Sequence, residues 1–352
     1  MKVQSIDSPI TLGEFAYLTI HQDFQKFVDQ EKAVLDDKEP EPLHQMRVRM
    51  RRLRTATQVF DAAIILPKGL TSAAIGKVAK SLGKTRDLDV LQQELTNHYR
   101  PLLPKSEKSK FDEVLKQLEQ RRKKSFLHLK KTLYGDAYQN LKQSVQGWLA
   151  QPNYTLMGQL SVLPMLPDLL LPLVNELFLH PGWLVGTTVQ AGKVTQIPLE
   201  NLAELSQQLE ESEDSLHDLR KRMKGVRYQT EFFSDFYGDA YKERIEEFKL
   251  IQDGLGQLQD SVVLRQFLES ALNTDLTQEL PTVEHKIRQD QADFWQTWQP
   301  LQQRYLDLEF RQALRSLLTM PQALLPTPSP KSKSSSTGNK KPRGRSSKTT
   351  TP

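Results

Sequence analysis

An internal repeat constrains the fold of this chain more than any other feature of its sequence. The segment LHQMRVRMRRLR, residues 43–54, aligns without gaps with LHDLRKRMKGVR, residues 216–227, and six of the twelve positions are identical. At the same offset of 173 residues, LGKTRDLDVL (82–91) aligns with LGQLQDSVVL (255–264). One register that holds over almost fifty residues indicates two copies of one structural unit.

The spacing of apolar residues predicts that both copies are helical. Apolar residues recur every three or four positions over most of the chain, between Pro, Gly and polar breaks. The predicted helices are 11–36, 41–63, 70–98, 107–133, 136–150, 167–180, 200–236, 239–271, 282–304 and 307–319. Only GTTVQAGKVTQIPL (186–199) has a weak strand pattern. We therefore predict an all-α fold with a first half at about 11–150 and a second half at about 160–320.

Each copy of the repeated motif carries an apolar stripe and a basic stripe when it is drawn as a helix at 100° per residue. The apolar stripes consist of Leu43, Met46, Met50, Leu53 and Phe60 and of Leu216, Leu219, Met223, Val226 and Phe233. The basic stripes consist of His44, Arg47, Arg51 and Arg54 and of His217, Arg220, Lys224 and Arg227. Because each basic stripe flanks the core-facing side, we expect its charged groups to be partly enclosed in a shared groove.

Few carboxylates lie within the motif to offset this charge. No Asp or Glu occurs between positions 43 and 60, and Asp218 is the only one between 216 and 230. Like charges at this spacing repel one another, and they repel more strongly when shielded from water. Guanidinium groups bind phosphate oxygens in pairs, and four such positions span ~15 Å of helix. The pattern favours an extended anion; a salt-bridged or solvated basic face is the alternative.

The histidine at the start of each basic stripe allows two interpretations. It is either structural, or it contacts phosphate and binds better when protonated. A metal role is disfavoured because the motif has no other ligand at suitable spacing, and the His217-Asp218 pair is not repeated, since Gln45 stands at the equivalent position. Asp87 and Asp260, in what we expect to be LG…D turns, should cap or pair with the basic helix.

Further basic residues lie outside the repeated stripes. Lys77, Lys80 and Lys84 share one face of the next helix, and none of their three counterparts in the second half is basic. They either extend the groove or form a solvated face, and the same alternatives hold for RRKK (121–124) and KK (130–131). We include Lys80 and Lys84 among the candidate anion contacts.

The C-terminal tail supplies the net positive charge of the chain. Residues 321–352 hold seven of the 48 Lys and Arg residues and no acid, which leaves 41 basic against 43 acidic residues in the remainder. The tail is rich in Pro, Ser, Thr and Lys and should be disordered. It is either a solubilising appendage or a loose electrostatic arm for a polyanion. An anion site in the remainder must come from local clustering.

Several chemistries are disfavoured by what the sequence lacks. Without cysteine there is no disulfide, thiolate zinc site or cysteine nucleophile. We find no Gly-rich phosphate loop or metal cluster, so we predict neither an enzyme nor a cofactor. The most apolar stretch, 163–185, contains four prolines and three ionisable residues, Asp168, Glu176 and His180, which favours a core helix over a membrane span. The first residues lack an apolar signal core, so we expect a cytoplasmic protein with no membrane partner.

On these motifs the chain resembles the CHAD domain family, the conserved histidine α-helical domain. The resemblance rests on LHQMRVRMRRLRTATQVF and LHDLRKRMKGVRYQTEFF, each followed by its LG…D segment, and it covers about residues 10–320. It implies two four-helix bundles related by a pseudo-twofold axis. It also implies that the basic helices face a common surface or pore that binds inorganic polyphosphate, often at polyphosphate granules.

The resemblance further implies which residues contact the anion. They are His44, Arg47, Arg51, Arg54, His217, Arg220, Lys224 and Arg227. Arg52 fits the family's double-arginine position, but its counterpart is Gly225, which implies an asymmetric site that is weaker in the second half. Some members carry a triphosphatase domain marked by ExExK, which this sequence lacks. We therefore expect a stand-alone, non-enzymatic polyphosphate-binding protein.

Two other classes of function stay open from the sequence. Nucleic acid is also a polyanion and the basic tail could hold it, although the basic stripes lack interleaved aromatic residues and no helix-turn-helix pattern is present. The third class is an enzyme or accessory subunit of polyphosphate or nucleotide metabolism. Other polyanions could share the groove, and the sequence does not indicate the oligomeric state.

Overall fold

The structure is a computed structural model that describes residues 10–198 and 201–322, and within them the chain is all-α apart from one small hairpin. Of the predicted tail at 321–352, residues 323–352 lie outside the described residues. The helices are α1 Leu12–Val28, α2 Glu31–Asp36, α3 Glu41–Val59, α4 Ser72–Glu94, α5 Lys105–Tyr134, α6 Asp136–Ala150, α7 Val162–Phe178, α8 Leu202–Glu211, α9 Glu213–Glu231, α10 Asp239–Leu272, α11 Leu276–Glu279, α12 Pro281–Leu306 and α13 Leu308–Leu318. Shorter helical turns are the π-helix Leu95–Tyr99 and the 3₁₀ helices Arg100–Leu102, Met157–Gln159, Pro181–Leu184 and Ser234–Phe236.

Two of the predicted helices are interrupted in the structure. The helix expected over 11–36 is divided between α1 and α2, and the helix expected over 200–236 is divided at Ser212. Asn201 begins α8 by accepting hydrogen bonds from the backbone N–H groups of Ala203 and Glu204, both at 3.0 Å, as N-cap residues do. The apolar spacing continues across both breaks, so periodicity alone does not reveal them.

The run with the weak strand pattern forms a two-stranded hairpin. Strand β1, Thr187–Gln190, pairs antiparallel with β2, Lys193–Gln196. The two residues between them, Ala191 and Gly192, have positive φ angles of 49° and 75°. Positive φ at both central residues is the geometry of a type I′ turn, and glycine adopts it without a Cβ penalty.

The helices follow the same order in the two halves. Helix α1 packs on α3, α3 on α4 and α4 on α5, while α7 packs on α9, α9 on α10 and α10 on α12. One apolar core contains residues of both halves, and both predicted apolar stripes are buried in it. The shared order agrees with two repeated units. Their boundaries, and the pseudo-twofold relation, stay predictions.

Two apolar clusters hold the two halves of the chain together, at opposite ends of the long helices. At the ends of α3 and α9, the rings of Phe60 and Phe233 have centroids 5.9 Å apart, and Phe15 packs against both. At the far ends of the long helices, a second cluster unites Leu95 and its neighbours with Phe267 and its neighbours from the other half. The basic sides of α3 and α9 lie between these two apolar clusters.

The most apolar stretch of the sequence forms α7, as a buried core helix. Five of its residues are at most 1% exposed, namely Val162, Leu166, Leu170, Val174 and Leu177. The helix packs on α9 and α13. In the two described ranges, no helix combines the length and the apolar character needed to cross a bilayer.

Candidate functional site

The basic stripes of α3 and α9 converge between the two halves of the chain. The Lys224 ammonium on α9 interacts electrostatically with Arg47 and Arg51 of α3, as well as with Arg220 of its own helix. The Arg51 guanidinium lies 4.2 Å from the ring centroid of Tyr228 on α9. We call Arg47, Arg51, Arg220 and Lys224 the central basic cluster.

The central basic cluster holds its cations in an unfavourable environment. Burial lowers the pKa of Lys224 to about 8, and repulsion from Arg51, Arg220 and Arg47 contributes further. Burial also lowers the pKa of Arg51 to about 10; Tyr228 opposes this effect, and Arg47 and Arg227 add to it. Lowered pKa values of this kind mean that the charged forms lack compensation, which an anion would supply.

Several buried nitrogen atoms of basic side chains around the cluster make no hydrogen bond with any described residue. They are the Nε atoms of Arg51, Arg86, Arg220 and Arg227, together with Nδ1 of His217. Arg227 Nε lies 3.5 Å from a Glu231 carboxylate oxygen, which is an ion pair without hydrogen-bond alignment. An unsatisfied buried polar group costs about 1–3 kcal/mol, so a group of them calls for an explanation. A site that takes acceptor oxygens from a ligand provides one.

The repeated LG pairs lie inside helices α4 and α10, not in the turns that we expected. A Cβ added to Gly83 would lie 3.5 Å from Arg47 Nε, and one added to Gly256 would lie 3.3 Å from Arg220 Nε. The missing side chain therefore makes room for the repeated arginine against the neighbouring helix. The helical periodicity around each LG pair already contradicted a turn.

Two carboxylates lie beside the central basic cluster, Asp87 on α4 and Asp260 on α10. Arg47 Nη2 lies 3.1 Å from Asp87 Oδ1, which confirms the expected pairing for this aspartate. Its counterpart Asp260 forms no ion pair within 4.0 Å in the described part of the chain. Burial raises the pKa of Asp260; Arg220 opposes this effect, and Asp87 adds to it. Asp260 is nevertheless exposed to solvent, so it is an accessible carboxylate whose charge the surrounding protein disfavours.

Arg52 and Arg49 point away from the cluster, toward a buried carboxylate of α1. Arg52 Nε and Arg49 Nη1 each lie 3.1 Å from Asp23, whose side chain is 3% exposed. Arg52 Nη1 also lies 3.4 Å from Glu231. Arg52 is thus paired with protein carboxylates on two sides, and its predicted contact with an anion stays a prediction that this geometry does not support.

The remaining candidates of the first half continue from the cluster along α3 and α4. Arg54 is exposed and its Nε donates to Ser72 Oγ at 3.2 Å. Lys80 and Lys84 are exposed and form no ion pair with a described residue. Lys80 precedes Gly83 by three positions and therefore shares the face of α4 that touches Arg47. These cations lie where they could extend the groove in the first half only.

The two motif histidines lie beside the cluster in different surroundings. Burial lowers the pKa of His44, and Arg86 adds to the effect. His217 lines a small apolar cavity with Leu255 and Gln259. The structural role and the phosphate contact of these histidines both stay predictions.

In the His217-Asp218 pair, the Asp218 carboxylate is hydrogen-bonded to a different histidine, His180. Asp218 lies 3.0 Å from His180 Nε2, while His180 Nδ1 accepts the backbone N–H of Gly182 at 3.0 Å. The ring therefore carries its proton on Nε2 and donates it to Asp218. Across residues 10–198 and 201–322, no three His, Asp or Glu side chains are grouped as metal ligands.

The basic runs on α5 divide between structural and solvated side chains. Arg122 bridges Asp37 and Asp89, and its Nε lies 2.8 Å from the latter. Lys124 and Lys131 are exposed and form no ion pair with a described residue. Neither of these two lysines interacts with the central basic cluster.

Sequence reasoning missed Tyr228 as a part of the site. Its ring is 5% exposed and carries the Arg51 guanidinium at 4.2 Å and the Arg227 guanidinium at 4.6 Å. The equivalent residue in the first half is Thr55. Because this contact joins side chains of different halves, neither the repeat nor the helical periodicity signals it.

Comparisons with known proteins give one family and two similar structures. The family model of the CHAD domain matches residues 19–269. The crystal structure of the CHAD domain from the plant Ricinus communis is 20% identical, with a TM-score of 0.53 over 92% of this chain and 96% of that one. PptA from Streptomyces chartreusis is 13% identical, with a TM-score of 0.60 over 84% of this chain and 100% of that one. At these identities the two structures establish the fold alone. No curated protein matches the sequence.

Proposed function

Because this chain belongs to the CHAD domain family, we propose that its central basic cluster binds inorganic polyphosphate. The observation that carries the proposal is the convergence of poorly compensated cations from both halves on one site. Three of them, Arg51, Arg220 and Lys224, form no ion pair within 4.0 Å in the described ranges. A linear anion with charge at every unit can contact all of them at once.

The chain's arginines and lysines would take different parts in this binding. Arg51 and Arg220 can hold phosphate oxygens in pairs, while Lys224 acts as a point charge. In the first half, Arg54, Lys80 and Lys84 can add further contacts to those of the central basic cluster, whereas the second half adds only Arg227. We therefore expect asymmetric binding, with more contacts on the side of α3 and α4.

The surroundings of Tyr228 favour polyphosphate over nucleic acid as the ligand. Single-stranded nucleic acid binds proteins through bases that stack on aromatic rings. The Tyr228 ring is buried and already carries two guanidinium groups, so it cannot accept a base. We expect polyphosphate to displace nucleic acid at a lower concentration of phosphate groups. We propose that the protein does not hydrolyse polyphosphate. We also propose that it lies at polyphosphate deposits in the cytoplasm.

A melting experiment with long-chain polyphosphate tests the proposal. A ligand that binds only the folded protein raises the melting midpoint, and orthophosphate at equal phosphate concentration serves as the control. Binding to four cations should weaken with salt with a log–log slope of about −3. An unchanged midpoint at low salt would contradict the proposal.

The lowered pKa of Lys224 predicts opposite effects of pH on affinity and stability. Its pKa is about 8 in the folded protein against 10.5 ordinarily, so above pH 8 the folded state binds fewer protons than the unfolded state. From pH 7 to pH 9 the free energy of unfolding without ligand should therefore rise, while affinity for polyphosphate should fall as the ammonium is lost. Chemical denaturation and calorimetric titration at three pH values measure the two trends. Lys224→Met should remove both trends. A Lys224→Met protein with the same pH dependence as the wild type would contradict the assignment of these trends to Lys224.

A further inference from the structure

Two carboxylates in a site for anions are not explained by the function proposed above. Asp87 and Asp260 stand at equivalent positions of the repeat, on α4 and α10. Both interact electrostatically with the Lys224 ammonium or with the arginines of the cluster, and they repel each other. Two negative groups therefore lie among the cations that would bind the ligand.

These carboxylates are not needed to hold the fold together. The Asp87 side chain is 66% exposed, and exposed ion pairs contribute little to stability. Asp260 is also exposed to solvent, and its raised pKa means that the fold disfavours its charge. A structural pair such as Asp23 with Arg49 and Arg52 differs, because there the carboxylate is buried.

We propose that Asp87 and Asp260 are resident counter-anions that compete with the phosphate ligand for the central basic cluster. The proposal rests on the proposed function of that cluster. Asp87 neutralises Arg47 directly at 3.1 Å, so a bound phosphate must displace it or share the guanidinium with it. Asp260 lowers the positive potential around Arg220 and Lys224 without a direct ion pair.

Competition of this kind selects for ligands with many charges. A single phosphate that enters the cluster exchanges one anion for another and is repelled by the second aspartate. A polyphosphate chain engages Arg51, Arg220 and Lys224 together, and the linked contacts multiply its affinity. The resident carboxylates would thus keep small phosphate anions off the site while a long chain still binds and can be released.

The sign of the change in affinity distinguishes this role from a positioning role. If Asp87 and Asp260 compete with the ligand, then Asp87→Asn and Asp260→Asn raise the affinity for phosphate anions. If they orient Arg47 and Arg220, the same changes lower it. The amide keeps the shape of the side chain and removes only its charge.

The test is a calorimetric titration of the full chain with orthophosphate, tripolyphosphate and long-chain polyphosphate at low salt. For the Asp87→Asn/Asp260→Asn protein we expect about tenfold tighter binding of tripolyphosphate, from the removal of two partly screened repulsions. Orthophosphate binding should become measurable in this variant. Raising the salt concentration should reduce the gain.

The control variant carries the same change in net charge away from the cluster. Glu113→Gln with Asp293→Asn removes two exposed carboxylates of α5 and α12, and it should bind like the wild type. Equal gains in both variants, or weaker binding by the Asp87/Asp260 variant, would overturn the competition. A wild-type protein that fails to bind long-chain polyphosphate would instead refute the proposed function itself.

Discussion

Replacing Arg47, Arg51, Arg220 and Lys224 together by alanine should abolish polyphosphate binding and leave the helical content unchanged. Each cation can make a charge-assisted contact worth about 1.5–3 kcal/mol, so losing four should weaken binding by more than about 10⁴-fold. The fold should persist because only Arg47 of the four forms an ion pair within the described ranges, and the carboxylate of that pair is exposed. Calorimetry measures the affinity, and circular dichroism measures the helicity.

A charge-matched control separates the cluster from a general effect of net charge. Lys116, Lys124, Lys131 and Lys221 are exposed and form no ion pair with the residues that the structure describes. Their replacement by alanine removes the same four positive charges and should change affinity by less than about tenfold. Equal losses in the two variants would contradict a localised site.

Replacing Asp23 by alanine should lower the free energy of unfolding by about 3–5 kcal/mol, because the change leaves a broken buried ion pair. The Asp23 side chain is 3% exposed and lies 3.1 Å from both Arg49 and Arg52. Without it, two guanidinium groups remain beside the core with no carboxylate of α1. Denaturant unfolding measures the loss.

The equivalent pair in the second half provides the control for this prediction. Arg222 pairs with Glu176, but their side chains are 45% and 61% exposed. Glu176→Ala should therefore cost less than about 1 kcal/mol. Similar losses in the two variants would show that the Asp23 pair does not stabilise the fold more than a surface pair does.

These two predictions divide the arginines of one helix by role. Arg47 and Arg51 are four positions apart and face the other half, whereas Arg49 and Arg52 face α1. A run of like charge on α3 therefore has two explanations, an anion site on one face and a buried carboxylate on another. The density of positive charge in the sequence does not distinguish these two explanations. The direction in which each side chain points distinguishes them.

The helices and the position of the basic stripes could be predicted because both follow from local spacing. Apolar residues every three or four positions specify which side of α3 and α9 is buried, and the angle to the basic residues then places Arg47 and Lys224 beside the core. The repeat also predicts equivalent environments for the two helices, but Arg49 pairs with a buried carboxylate and its counterpart Arg222 with an exposed one. The pairing that we expected with the basic helix forms at Asp87, whereas Asp260 forms no ion pair within the described residues.

The other parts of the site depend on contacts between distant segments, which local spacing does not encode. Asp23 on α1 accepts Arg52, and Tyr228 on α9 receives Arg51 from the other half. The role of Gly256 as a space for Arg220 is also visible only once α9 and α10 are packed together. Arg52 therefore looks like a ligand contact in the sequence and like a structural residue in the fold.

The binding stoichiometry of a short polyphosphate of defined length tests most directly whether both halves form one site. Calorimetry should find one chain per protein molecule for the wild type. The Arg47→Ala/Arg51→Ala and Arg220→Ala/Lys224→Ala proteins should each bind more weakly with the same stoichiometry. Two chains per wild-type molecule, falling to one in each variant with affinity unchanged, would contradict a shared site.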